Sequence, residues 1–375
     1  MKSHRLGGLV RLFLKLGFIG FGGPAAVIAM MEDEIVVRRR WLTREHYLDL
    51  VGATNLIPGP NSTEVAMHVG YERAGFRGLI TAGSCFIMPA ALMTGTLGWL
   101  YATYGTLPEV TPFLFGIKPA VIAIILGALW RLGKAAFKSV SLVPVAAGVL
   151  AALAMGVTPI AALLAGGILG LVWLRLYAKR ASPTNLFGLL MPAWVWQASS
   201  QEVPLWKLGL FFLKVGSVLY GSGYVLVAFL EGDLVQNYQW LSQQQLLDAV
   251  AIGQVTPGPV LTTATFIGVL LGGAPGGALA TLAIFLPSFV FVAILNPIIP
   301  KLRQSVVMGA FLDAINVSAV ALMLFVTIRL GAGVLTGWQA WLVFGLAALA
   351  VFRYRISAAW LVAGSCALGL GLSLL

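Results

Sequence analysis

The stretch "NLIPGPNST", residues 55–63, gathers groups suited to holding an oxyanion. The amides of Asn55 and Asn61 and the hydroxyls of Ser62 and Thr63 are uncharged donors that can meet the oxygens of a tetrahedral anion. Proline suits the first turn of a helix, because its missing N–H would have been unpaired there and its φ is already set. Pro60, after Pro58 and Gly59, is therefore expected to open a helix whose tip exposes backbone N–H groups. Such a tip carries about half a positive charge and attracts anions. Glycine beside it lets a ligand approach the backbone closely. A second copy, "QVTPGPVLT" at 254–262, offers Gln254, Pro257, Gly258, Pro259 and Thr262. A different break, "GFGGP" at 20–24, supplies Gly22, Gly23 and Pro24, and its counterpart "YGSG" at 220–223 supplies Gly221 and Ser222. All of these are candidate substrate-binding residues. The competing reading is structural: prolines that only kink helices, and Ser or Thr acting as ordinary N-caps.

Lys15 and Lys214 stand in apolar half-helices, seven residues before Gly22 and Gly221. A charge near a bilayer centre costs about 2.5 to 3.5 kcal/mol on insertion scales, so something must offset it. Ion pairing with Glu32, Asp49, Glu231 or Asp248 would do so, as would a bound anion, which makes Lys15 and Lys214 candidate substrate-binding residues too; snorkelling of Lys15 to the interface is the third reading. Glu64 lies one turn inside the helix opened by Pro60. Its apolar setting disfavours the charged form, which suits proton coupling. His68, one turn further on, could assist, although a lone membrane histidine is more often structural.

The elements that position these groups are read from composition. The chain has 375 residues, 59% of them hydrophobic and 10% charged. A soluble domain of that composition could not cover its own surface, so the chain reads as an all-α polytopic membrane protein. Spans are expected at 78–104, 111–130, 159–174, 278–299, 305–328, 334–352 and 356–375, with a shorter one at 140–155. The net charge of +11 reflects basic residues at the ends of apolar runs, the positive-inside pattern, so no nucleic-acid partner is expected. Cys85 and Cys366 lie in apolar segments and imply neither a disulfide nor a metal site. The basic N-terminus lacks a cleavage site and reads as mature protein.

The chain also repeats itself. Residues 13–60 align without a gap to 212–259, pairing Lys15 with Lys214, Glu32 with Glu231, Trp41 with Trp240, Asp49 with Asp248 and one PGP with the other. After one gap, Pro89 pairs with Pro287 and "RLG" at 131 with "RLG" at 329. The organisation is an N-terminal membrane repeat at 1–180, a linker at 181–206 and a C-terminal membrane repeat at 207–375. Arg38, Arg39, Arg40 and Arg44 have as counterparts Asn237, Tyr238, Gln239 and Gln243. If basic loops face the cytoplasm, the two homologous repeats have inverted topology. The runs flanking Pro58-Gly59-Pro60 would each reach only about 18 Å, too short to span. Charges on both flanks favour a re-entrant hairpin over one kinked helix, so interrupted or re-entrant helices are expected in each half.

The "FxKxGxxxFGGP" opening, the "WL" followed by "D", the "PGP" turn and their recurrence resemble the long-chain form of the chromate ion transporter family. That resemblance implies a secondary transporter exporting chromate across the bacterial cytoplasmic (inner) membrane, driven by proton motive force or anion exchange, with chromate resistance as the outcome. Sulfate is the look-alike anion, and a sulfate or other oxyanion transporter or a passive anion channel is the alternative. The second half departs from the opening pattern at Tyr220-Gly221-Ser222-Gly223, so unequal contributions are expected. The expected partners are chromate or sulfate and the lipid bilayer, with a homodimer left open. No enzyme is expected: the three histidines form no HExxH, and no Walker or Rossmann pattern supplies a nucleotide, so neither cofactor nor metal is anticipated.

Overall fold

The computed structural model describes residues 2–21, 23–105, 107, 111–178, 203–220, 223–295 and 305–373. Among these, every regular element is helical. The first half comprises α1 (Lys2–Ile19), α2 (Pro24–Glu32) continuing as a π turn (Asp33–Arg38), α3 (Arg44–Thr54), α4 (Asn61–Tyr104), α5 (Thr111–Ala136), α6 (Val143–Ala154) and α7 (Pro159–Ala178). The second half comprises α8 (Leu205–Val218), α9 (Val225–Phe229) continuing as a π turn (Leu230–Asn237), α10 (Gln243–Val255), α11 (Thr263–Leu295), α12 (Val306–Val334), α13 (Trp338–Leu349) and α14 (Ala358–Ser373). Helices around α4, α5, α11 and α12 are long and apolar enough to cross a membrane, and the chain is a multi-pass membrane protein. Nearly all of the 181–206 linker lies outside the described residues, and α8 begins just before the expected boundary at 207.

The short runs around the PGP turn form the hairpin. His46 at the start of α3 lies 3.6 Å from Glu72 near the end of the 61–73 segment, so both ends of the pair meet on one side. The chain then reverses at Ala74 (φ −146°, ψ 22°) and Gly75 (φ 62°, ψ −149°) before 76–104 runs on as a long helix. Gly70 and Gly78 pack face to face across this reversal with no room for a side chain between them. Gly272 and Gly273 repeat the same backbone angles within a few degrees, apart from a ψ of −159° at Gly273, and Gly268 meets Gly276 in the same way.

The single gap in the repeat has a physical account. Gly75 follows Pro60 by 15 positions, whereas Gly273 follows Pro259 by 14. The shorter copy begins with a 3₁₀ turn, Val260–Thr262, where the longer has α-helix. Three residues at about 2.0 Å rise instead of about 1.5 Å recover roughly 1.5 Å, the rise of the missing residue.

The halves embrace one another. Helix α4 packs on α1 and α11 on α8 within each half, while α4 packs on α11 between halves. Helix α5 lies against α13 and α14 of the other half, and α12 against α6 and α7. Helices α5 and α12 are antiparallel: a Cβ on Gly133 would lie 3.9 Å from Val320, one on Gly331 3.9 Å from Ile122, and Lys138 pairs with Asp313 at 2.6 Å. Gly133 and Gly331 are equivalent in the repeats, as are Ile122 and Val320, so these are one contact seen from each half. The short apolar run at 140–155 forms α6, which pairs with α7 as an antiparallel hairpin through Val149 on Gly166 and Val145 on Gly170.

Candidate functional site

The broken segments converge between the halves. Helix α1 ends at Ile19, and α2 restarts at Pro24 with Gly23 as its N-cap at φ 82°. In the PGP turn Gly59 has φ 144° and Gly258 has φ 96°, conformations that favour glycine over residues with a Cβ. The Gly59 N–H donates to Leu219 C=O of the other half at 2.8 Å, and the Gly258 N–H donates to Gly20 C=O at 2.9 Å. Leu219 and Gly20 hold equivalent places, each at the break that follows the first helix of its half. Each PGP turn is thus latched to the opposite half's break. Gly23 faces the Tyr224 hydroxyl, which in turn donates to Gln254 at 3.2 Å. Gly22, Gly221 and Ser222 lie outside the described residues.

A cavity of about 220 Å³ opens beside the first-half turn. Its polar wall is Thr54, Asn55, Asn61 and Asn316, and its apolar wall includes Leu132, Val225 and Met323. One water requires about 10 to 15 Å³ on this measure, so a tetrahedral oxyanion fits with part of its hydration shell. The Asn61 amide donates to Asn55 Oδ1 at 2.7 Å, which fixes both side chains at the cavity wall. Pro58, Gly59 and Pro60 form the turn that holds them. Ser62 and Thr63 are buried in the first turn of α4, where the Thr63 and Glu64 N–H groups both donate to Pro60 C=O.

The second-half turn is chemically quieter. Thr262 Oγ1 donates to Pro259 C=O and Thr263 Oγ1 to Val260 C=O, both at 2.9 Å, so these hydroxyls are turned onto their own helix. Glu64, whose place Thr263 takes, is fully buried. Its carboxyl abuts Gly59 beside Ser288 Oγ. Both Glu64 oxygens, Thr63 Oγ1 and Ser288 Oγ lack hydrogen-bond partners among the described residues.

The charged residues sort differently from their expected pairing. Lys15 Nζ donates to Glu34 at 2.6 Å, and Arg38 and Arg39 approach the same carboxylate. Lys214 donates to Asp233 at 3.3 Å. Glu34 and Asp233 occupy one repeat position, so this is a single ion pair made twice. Of the expected counter-charges, Glu32 instead accepts from Arg44 at 3.0 Å. Glu231 accepts from Gln236 at 2.9 Å and lies 3.7 Å from Arg329. Asp248 accepts from Tyr101 at 2.7 Å, and Asp49 is exposed. The cause is the π turn that begins at Asp33 in one half and Leu230 in the other: its wider spacing rotates later side chains away from the α-helical period. Sequence reasoning also missed Asn316, Tyr101, Tyr224 and Ser288. An acidic residue at position 34 matched by another at 233 was a usable signal, and so was a lone asparagine in the apolar run of α12.

The sequence profile of the chromate transporter family matches residues 8–171 and again 206–370. The chain is similar to a chromate transport protein of Cupriavidus metallidurans, with 34% identity over 324 residues, 85% of this chain and 80% of that one. It is similar to a probable chromate transport protein of Synechococcus elongatus, with 31% identity over 343 residues, 88% of this chain and 85% of the other. A chromate transport protein of Pseudomonas aeruginosa is 30% identical over 333 residues, 85% of this chain and 79% of its own length. No solved structure matches the chain.

Proposed function

The chain belongs to the chromate transporter family, and on that premise we propose that it is a secondary transporter moving chromate across the bacterial inner membrane, in the direction of export and without enzymatic chemistry. The observation that carries this reading is the cavity between the halves, walled by Asn55, Asn61 and Asn316 at a turn latched to the other half. Neutral amides recognise the oxygens of a tetrahedral dianion and not its central atom, so sulfate competes for the same site. Asn55, Asn61 and the Pro58-Gly59-Pro60 turn form the anion-facing wall, while Gln254 and Pro257-Gly258-Pro259 form its counterpart. Lys15 and Lys214 act through their ion pairs, holding each first hairpin closed beside the breaks at Gly23-Pro24 and beyond α8.

The repeats are inverted in this reading. Equivalent helices α5 and α12 run antiparallel, which supports a two-fold axis lying in the membrane plane. Energy comes from the proton gradient or from anion exchange. Glu64, fully buried and without a hydrogen-bond partner among the described residues, is the proton-carrying group, because an ionised carboxylate so placed is untenable without a counter-charge.

Purified protein in proteoliposomes tests the function. Labelled chromate should accumulate above the external concentration when a pH gradient or an internal counter-anion is imposed, and sulfate should compete. Flux that only equilibrates would favour a passive channel instead.

A further inference from the structure

The two halves are equivalent in sequence but not in arrangement. In the second half, α10 is seated on α5 and α14. Its Gln243 Nε2 reaches Leu330 C=O of α12 at 3.4 Å, and its Asp248 meets Tyr101 at 2.7 Å. In the first half, the equivalent α3 is not seated on α12, and the 220 Å³ cavity occupies that place. Exposure records the difference: Leu48 of α3 is 49% exposed and its counterpart Leu247 1%, while Asp49 is exposed and Asp248 only 1% so. The first half's α1, α2, α3 and 61–73 segment, with Ala82 and Phe86 of the long helix that follows, also form an apolar core separate from the main one. Helix α10 therefore fills the groove whose mirror image α3 leaves open.

Asn316 lines the open cavity. Its equivalent in the repeat is Lys118, two turns inside α5 and half-buried. No carboxylate lies within ion-pair distance of Lys118 among the described residues; Asp248 of α10 is the nearby charge it feels. A lysine in a spanning helix carries a desolvation cost that a bound anion would offset. Building on the transport reading, we propose that Lys118 is an anion-binding residue of the opposite-facing state, uncovered when α10 leaves its seat on α5 and α14 and α3 enters the equivalent place beside α12. The transported dianion then meets amides at one face of the membrane and a lysine at the other. Asp248, held by Tyr101, occupies the Lys118 side of the groove while the anion is elsewhere.

The test is chromate uptake in proteoliposomes, with KM measured separately from each membrane face for wild type, K118M, K118R, D248N and K118M/D248N. Loss of a charged contact of this kind weakens binding by about tenfold or more. K118M should raise KM by that factor from one face only, its unchanged KM from the other face certifying the fold; K118R, which keeps the positive charge, should lose less than K118M, and the double variant should stay impaired. An unchanged KM from both faces in K118M overturns the inference. Recovery of wild-type kinetics in K118M/D248N also overturns it, because Lys118 would then serve only to balance Asp248. Absence of uptake by the wild-type protein would defeat the transport reading itself, and this inference with it.

Discussion

Gly258→Ala tests the latch between the halves. The residue has φ 96°, in the left-handed region where a Cβ costs about 1 to 2 kcal/mol. A Cβ there would also stand 2.6 Å from Ala90 Cβ, a contact that neither a flexible tip nor a rotamer change can relieve. Forcing a methyl into a packed site costs about 1 to 3 kcal/mol. The sum, roughly 2 to 5 kcal/mol, is a large part of a stability of about 5 to 15 kcal/mol. Strain of this size also pulls the Gly258 N–H from Gly20 C=O, so transport should fall together with stability. Thermal unfolding in detergent, followed by tryptophan fluorescence, and chromate uptake in proteoliposomes read the two effects. Gly148→Ala is the control: a Cβ there meets nothing within 4 Å, so its effect should be neutral or slightly stabilising, by up to about 1 kcal/mol. The double variant G258A/A90G removes the clashing methyl but not the backbone strain. It should recover the packing part, about 1 to 3 kcal/mol, and no more. Unaltered stability and uptake in G258A, or no coupling between positions 258 and 90, would refute the reasoning.

Other perturbations reach other parts of the account. If Lys15 serves through Glu34, E34Q alone should strand the basic cluster and reduce uptake, whereas K15Q/E34Q should recover much of it; a double variant as inactive as K15Q would place the lysine on the ion instead. Replacing Asn55 and Asn61 together by alanine should raise KM for chromate by about tenfold, since each lost neutral hydrogen bond is worth about 0.5 to 1.5 kcal/mol, with little change in the maximal rate. Glu64→Gln should abolish uptake driven by a pH gradient while leaving anion exchange intact, and gradient-driven uptake at the normal rate would remove Glu64 from the coupling step. Single cysteines at Arg38 and Asn237 should be labelled by an impermeant reagent from opposite faces; labelling from the same face would sink the inverted topology.

Much of the fold was legible because the informative residues were rare. Lysine, tryptophan and the PGP turn, aligned in one register, fixed the repeat despite a background of leucine and alanine. The re-entrant hairpin was legible from two runs too short to span, and contact between His46 and Glu72 decides it against a kinked helix. The ion-pair partners were not legible, because a π turn shifts the face on which Glu34 and Asp233 emerge. Nor was the latch, which is made by backbone groups of Gly59, Leu219, Gly258 and Gly20 whose side chains carry no signal. The repeat register that aligns the two RLG motifs also aligns Lys118 with Asn316, but the pairing carried no signal until the cavity showed Asn316 on its wall, since the two residue types differ in charge.

Counterflow reads directly whether the latched halves expose one anion site alternately to each side. Proteoliposomes loaded with unlabelled chromate are diluted into a trace of labelled chromate. Label inside should rise transiently to well above the external concentration, and less so in G258A. Label that climbs only to equality and never overshoots would contradict alternating exposure, because an open channel cannot couple the exit of one ion to the entry of another.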